Sequence, residues 1–143
     1  MKRRLSIAGS VVVMAVLATG MATPAHAAAS YEVSVIPKTT PGGVSWGRPT
    51  SPKTTSVKFY SRASAQMKKI STRAIVKQYP QNKLLYDTTR ASTNSNINSL
   101  TYAVPASLQS GTGFNASMTS KFTKRSGAVA TRSTSKKWIT PKV

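Results

Sequence analysis

The chain has 143 residues, in which 21 Lys and Arg face two acidic side chains, one His and no Cys. The single His26 falls in an N-terminal segment that reads as an export signal, so the chain beyond it has no His and only Glu32 and Asp87 as carboxylates. General acid/base catalysis, nucleophile activation and metal ligation draw on those groups, so the expectation is a non-enzymatic protein with no cofactor, no metal and no disulfide.

Met1 to Ala27 has the three parts of a secretory signal: Lys2, Arg3 and Arg4 at the start, an apolar run from Leu5 to Ala18, and Ala25-His26-Ala27 as an A-x-A cleavage pattern. The apolar run falls short of the roughly 20 residues that span a bilayer, which disfavours an uncleaved anchor. The short tri-basic start suits bacterial export. The expected mature product is therefore secreted, extracellular or envelope-associated, and covers residues 28–143 as a single basic β-rich domain. It keeps eighteen Lys and Arg against two carboxylates, a net charge of +16.

Leu, Ile, Val and Phe supply only 20 of those 116 residues, which with high charge lies in the compositional range of disordered chains. Local patterning points the other way, because Tyr, Val, Thr and Phe recur at spacing two between Gly, Pro, Asn and Ser clusters. Tyr31 to Val35 reads as a first strand. Residues 37–54 hold four Pro and three Gly and read as a loop against which Trp46 tucks back. Val57, Phe59, Ser61 and Ala63 form the core side of a second strand, with Lys58, Tyr60 and Arg62 on the other side. From Ala63 to Ile70 the spacing also fits i, i+4, i+7, so a short helix carrying Lys68 and Lys69 competes with a strand.

Thr72 to Tyr79 returns to alternation, Pro80-Gln81-Asn82 is a turn, and Lys83 to Thr89 is the next strand. Residues 91–99 are Ser and Asn rich and read as a polar loop. Leu100 to Leu108 alternates, although Pro105 has no N–H for a ladder and marks an edge or a bulge. Gln109 to Gly113 turns the chain, and Phe114, Ala116, Met118, Ser120 and Phe122 make the most regular core stripe. A turn at Lys124-Arg125-Ser126-Gly127 then leads into a last strand over Ala128 to Ile139. About seven short strands joined by such turns predict an all-β fold, a small antiparallel β-sandwich or barrel.

Charge carries the strongest functional signal. A field of this sign attracts polyanions at steered rates, and bound anions relieve the self-repulsion. If 57–63 and 72–79 are neighbouring strands, Lys58, Tyr60 and Arg62 lie beside Arg73, Lys77 and Tyr79, with Lys68 and Lys69 at their connecting end. Such a basic face with aromatic rings pairs with phosphates and stacks on sugars or bases, or is an ordinary solvated face with Tyr packed on Lys stems. A second patch gathers Lys121, Lys124, Arg125, Arg132, Lys136 and Lys137 with Trp138, which is either an interfacial anchor or a partly buried core residue. Glu32 and Asp87 are isolated, and a Ser–Lys pair is the one enzymatic option that composition leaves.

These readings point to a partner that is an anionic polymer or an anionic membrane surface: envelope polyanions, anionic lipid or extracellular nucleic acid. Two alternatives share the composition. One is a bacteriocin-like antimicrobial or toxin acting on a competitor's envelope, and the other is a module for one acidic protein partner.

Overall fold

Burial alternates along the middle of the chain and then changes phase. Val57, Phe59, Ser61 and Ala63 are buried, and after Met67 the buried positions become Ile70, Thr72, Ala74 and Val76. In the computed structural model, which describes residues 28–143, all of them lie on one 27-residue strand, β4 (Lys53–Tyr79). The export signal expected over 1–27 lies outside the described residues. The phase change marks a fold in the strand itself. Ser61 and Thr72 are eleven residues apart on β4, yet their hydroxyls hydrogen-bond at 3.0 Å. A straight strand at ~3.3 Å per residue would hold them about 36 Å apart. β4 therefore turns back on itself between Arg62 and Met67, where its ladder with β5 also shifts register.

The other strands assemble on this bent frame: β1 (Tyr31–Thr40), β2 (Gly43–Ser45), β3 (Arg48–Thr50), β5 (Lys83–Ala103), β6 (Thr112–Thr123) and β7 (Val129–Thr140). Strands make up 76% of the described residues without any α-helix, so the fold is all-β, an antiparallel sheet curled into a half-barrel. β1 pairs with the first half of β4, β6 with the second half, and β7 with β6. β5 follows β4 around the bend, pairing Ser56–Arg62 with Ile97–Ala103 and Met67–Gln78 with Lys83–Ser95. A three-stranded layer thus faces a four-stranded one, and β4 and β5 run through both.

The inward positions of the two layers meet in a core of Val57, Phe59, Leu100 and Tyr102 against Ala74, Val76, Phe114, Ala116 and Met118. A smaller cluster holds Ala63, Met67, Ile70 and Phe122, with the Tyr31 ring 4.8 Å from that of Phe122. Between the clusters, at the intervening inward positions, Ser61, Thr72 and Ser120 bond to one another through their hydroxyls, and Asn98 Nδ2 donates to Thr72 Oγ1 at 3.0 Å and to the Arg90 carbonyl at 2.9 Å. These four side chains are buried, and their mutual bonds offset the cost of taking polar groups out of water.

Four expectations change. The helix alternative over 63–70 is replaced by the bend of β4, whose phase change mimics helical spacing. The polar loop at 91–99 is instead the middle of β5, because β4 supplies a partner along its whole length. Its Asn chemistry is used only at the corner, where Asn94 has φ +51° and its carbonyl accepts from Gln66 Nε2 at 2.7 Å. The 37–54 loop also contains regular structure: β1 runs to Thr40, and β2 and β3 form a separate hairpin. The strand expected over Leu100 to Leu108 stops instead at Ala103, the end of β5, and Pro105, which has no N–H for a ladder, leads into a short 3₁₀ turn over Ala106–Leu108. The turn at 124–127 and the strands around it stand within two residues of their expected places.

Candidate anion-binding face

Residues directly opposite in an antiparallel ladder share a face of the sheet. On the outer side of the four-stranded layer, β4 therefore presents Lys69, Ser71, Arg73, Ile75 and Lys77. Opposite them on β6 are Thr123, Lys121, Thr119, Ser117 and Asn115. β7 adds Val129, Thr131, Ser133, Ser135 and Lys137. Across the other ladder β5 brings Thr93, Ala91, Thr89 and Asp87. Five cations, Lys69, Arg73, Lys77, Lys121 and Lys137, stand here against one carboxylate. The outer side of the three-stranded layer has four, Lys38, Lys53, Lys58 and Arg62, with Glu32 opposite Arg62. The first is thus the more basic face.

A shallow groove of about 370 Å³ lies on this face, lined among others by Ser71, Arg73, Thr89, Ser117, Thr119 and Lys121. Arg73 is fixed in it by Asp87: Nε donates to Oδ1 at 3.0 Å and Nη2 to Oδ2 at 2.8 Å. The hydrogen bonds raise the Arg73 pKa and hold the Asp87 carboxyl below its ordinary value of 3.8. They also hold the guanidinium plane in one orientation. Across β6 and β7, Thr119 and Ser133 share a hydrogen bond at 3.0 Å. At one end of the face the Lys137 ammonium stands 4.6 Å over the Tyr79 ring. Ammonium and hydroxyl groups side by side donate to the oxygens of phosphate, sulfate or carboxylate groups.

The two patches read from the sequence are redistributed. Strands 57–63 and 72–79 are not neighbours but the two arms of one bent strand, so Lys58, Tyr60 and Arg62 point away from the half-barrel on one side, and Arg73 and Lys77 on the other. Lys68 is exposed beside the bend. From the second patch, Lys121 and Lys137 join Lys69, Arg73, Lys77 and Tyr79. Lys124 and Arg125 stay in the β6–β7 turn, where Arg125 Nη2 donates to Gln66 Oε1 at 2.9 Å. Arg132 and Lys136 occupy inward positions of β7, and Arg132 lies 5.1 Å over the Tyr31 ring. Trp138 packs on Phe114 at 5.4 Å and its Nε1 donates to Thr54 Oγ1 at 3.3 Å, so it takes the core role.

The outward hydroxyls Ser71, Ser117 and Thr119 were not singled out in the sequence. Their signal was there, since each sits two positions from a cation or another hydroxyl of its own strand. Glu32 and Asp87 stand on the outer sides of different layers. Among the described residues no three potential metal ligands gather. No family model matches the chain, and no curated protein or solved structure does either.

Proposed function

We propose that the mature chain is a secreted, non-enzymatic protein that holds anionic polymers or surfaces of the cell envelope through the outer face of its four-stranded layer. The observation that carries this reading is the gathering of Lys69, Arg73, Lys77, Lys121 and Lys137 on one side of one sheet with only Asp87 against them. Hydroxyls between the cations support it, because a repeating phosphate or sulfate chain is met by hydrogen-bond donors along its length.

The test is a titration of the mature protein with teichoic acid, DNA and anionic vesicles over a salt series. Counterion release makes log K fall linearly with log salt concentration. Lys121→Glu with Lys137→Glu is expected to weaken binding and flatten that slope. Binding that persists undiminished at about 1 M salt contradicts the reading, since at that ionic strength the Debye length is only ~3 Å. A bacteriocin-like alternative is favoured by one observation, the nearly complete exposure of Trp46 at a hairpin tip. Leakage of anionic vesicles, or killing of a sensitive strain, separates it from envelope retention. Capture of one acidic protein, without binding to any polyanion, would favour the interaction-module alternative.

A further inference from the structure

The β2–β3 hairpin stands out for what the fold does not ask of it. Val44 pairs with Pro49 and Ser45 with Arg48, so Trp46 and Gly47 are the turn. The Trp46 side chain is 98% exposed and Val44 77%. Trp46 also has φ +53°, followed by Gly47 at +71°, the paired positive values of a two-residue hairpin turn that Asn-Gly fills best. A bulky aromatic residue is a rare occupant of that conformation. Trp46 thus gains no packing from the protein and sits in a backbone state unsuited to it. Neither observation is explained by stability, and both are the kind that marks a functional position.

The base of the hairpin holds it in place. Gly43 N–H donates to Thr50 Oγ1 at 2.9 Å, and at Gly42 a Cβ would stand 2.5 Å from the Thr50 carbonyl oxygen, so only glycine allows this close approach. Ser110 Oγ donates to the Pro52 carbonyl at 2.7 Å, and the Val143 N–H to Ser51 Oγ at 3.0 Å. The tip is therefore presented to solvent on a fixed support. Arg48 is next to the turn, Lys38 and Lys53 stand beyond the hairpin's base on β1 and β4, and residues 38–53 hold no carboxylate.

We infer that this hairpin is a membrane anchor, its Trp46 tip entering the interface of an anionic lipid bilayer while Arg48 beside the turn pairs with the phosphates and Lys38 and Lys53 beyond the base add attraction to the charged surface. Indole partitions to the boundary between headgroups and acyl chains, and basic residues at the same depth meet the lipid phosphates. A sugar-binding platform sets several hydrogen-bonding side chains around the ring, whereas here only Ser45 and Arg48 flank the turn and Val44, Gly47 and Pro49 offer none. An apolar tip with Arg48 beside it and no carboxylate in residues 38–53 fits an anionic lipid surface better than an acidic protein, which would leave the ring in water. The inference rests on the anion-binding reading for its long-range attraction and adds the anchor and the lipid as its partner.

The experiment compares the mature protein with its Trp46→Asn variant on vesicles of phosphatidylglycerol and of phosphatidylcholine, following tryptophan emission and its quenching by brominated acyl chains. Circular dichroism and thermal melting verify the variant's fold, and teichoic acid binding is measured on both proteins. Expected are a blue shift and quenching on phosphatidylglycerol for the parent alone, and a loss of vesicle affinity of about ten- to a hundred-fold in the variant. Teichoic acid binding should stay unchanged. Equal affinity of both proteins with unshifted emission overturns the anchor and leaves the charge reading standing. Teichoic acid binding without any vesicle binding does the same. Absence of binding to both overturns the two together, and equal insertion into phosphatidylcholine overturns the anionic preference.

Discussion

Asp87 receives both hydrogen bonds of the Arg73 guanidinium edge, so the one carboxylate on the basic face is engaged by one of its five cations. The pair is solvent-exposed and screened, so its effect on stability is small. Its effect on binding is not, because it withholds part of Arg73 from any incoming anion. Asp87→Asn is expected to raise polyanion affinity several-fold at low salt and to steepen the salt dependence by ~1 unit of slope, that of one further phosphate contact. Isothermal titration at three or more salt concentrations checks this.

Acid should unfold this protein less readily than most. Acid denaturation draws on carboxylates that are paired in the native state, and the described residues offer only Asp87 and Glu32 and no His. The Asp87 pKa is lowered by its bond to Arg73, so its contribution is present above its ordinary value of 3.8 and fades as pH falls through the lowered one. The melting temperature is expected to change by a few degrees at most between pH 7 and pH 4. At the alkaline end the sign reverses. Burial raises the Tyr102 pKa above 10.0, so stability is kept below that value and lost as pH rises through the raised one. Thermal melting across pH measures both limbs.

The Ser61, Thr72 and Ser120 hydroxyls are mutually satisfied, so removing one leaves the others short of a partner. Thr72→Val, which also leaves Asn98 Nδ2 with only its bond to the Arg90 carbonyl, is expected to cost about 1–3 kcal/mol. Joining it with Ser61→Ala and Ser120→Ala should cost less than the sum of the three single changes, because no hydroxyl is then left without a partner and the Asn98 loss is counted once. Urea denaturation of the four variants tests the non-additivity.

Trp46→Asn creates the Asn-Gly pair that this turn geometry favours and removes a ring that touches nothing. It is expected to stabilise the fold by about 1 kcal/mol, the cost of a left-handed conformation for a bulky residue. An increase in melting temperature accompanied by weaker membrane association would show that the native residue is kept at the expense of stability.

The sequence made the all-β class and the end of the fold readable, from Phe114 through the 124–127 turn to β7, because β6 has a clean alternation and a short local turn joins it to β7. It concealed the long β4–β5 ribbon. A strand that bends between Arg62 and Met67 changes its buried phase, and along the sequence alone that change has the pattern of two strands or of a helix between them. The same bend decides which cations meet: Lys69 and Lys77 remain with Arg73, whereas Lys58 and Arg62 are turned to the far side. Trp46, expected to tuck back onto the domain, is instead exposed, and of the two readings of Trp138 the core one holds, for a related reason. A ring's burial depends on what lies across from it, and Phe114 and Thr54 come to Trp138 only through long-range pairing.

Because β4 and β5 belong to both layers, neither layer owns its central strands. Opening one of them pulls on the hydrogen bonds of the other through a continuous backbone, and the hydroxyl cluster ties the two arms at their middle. Partial melting therefore has no natural seam between the layers. Slowly exchanging amides should run without interruption through both arms of β4, and the protein should lose its structure as one cooperative unit.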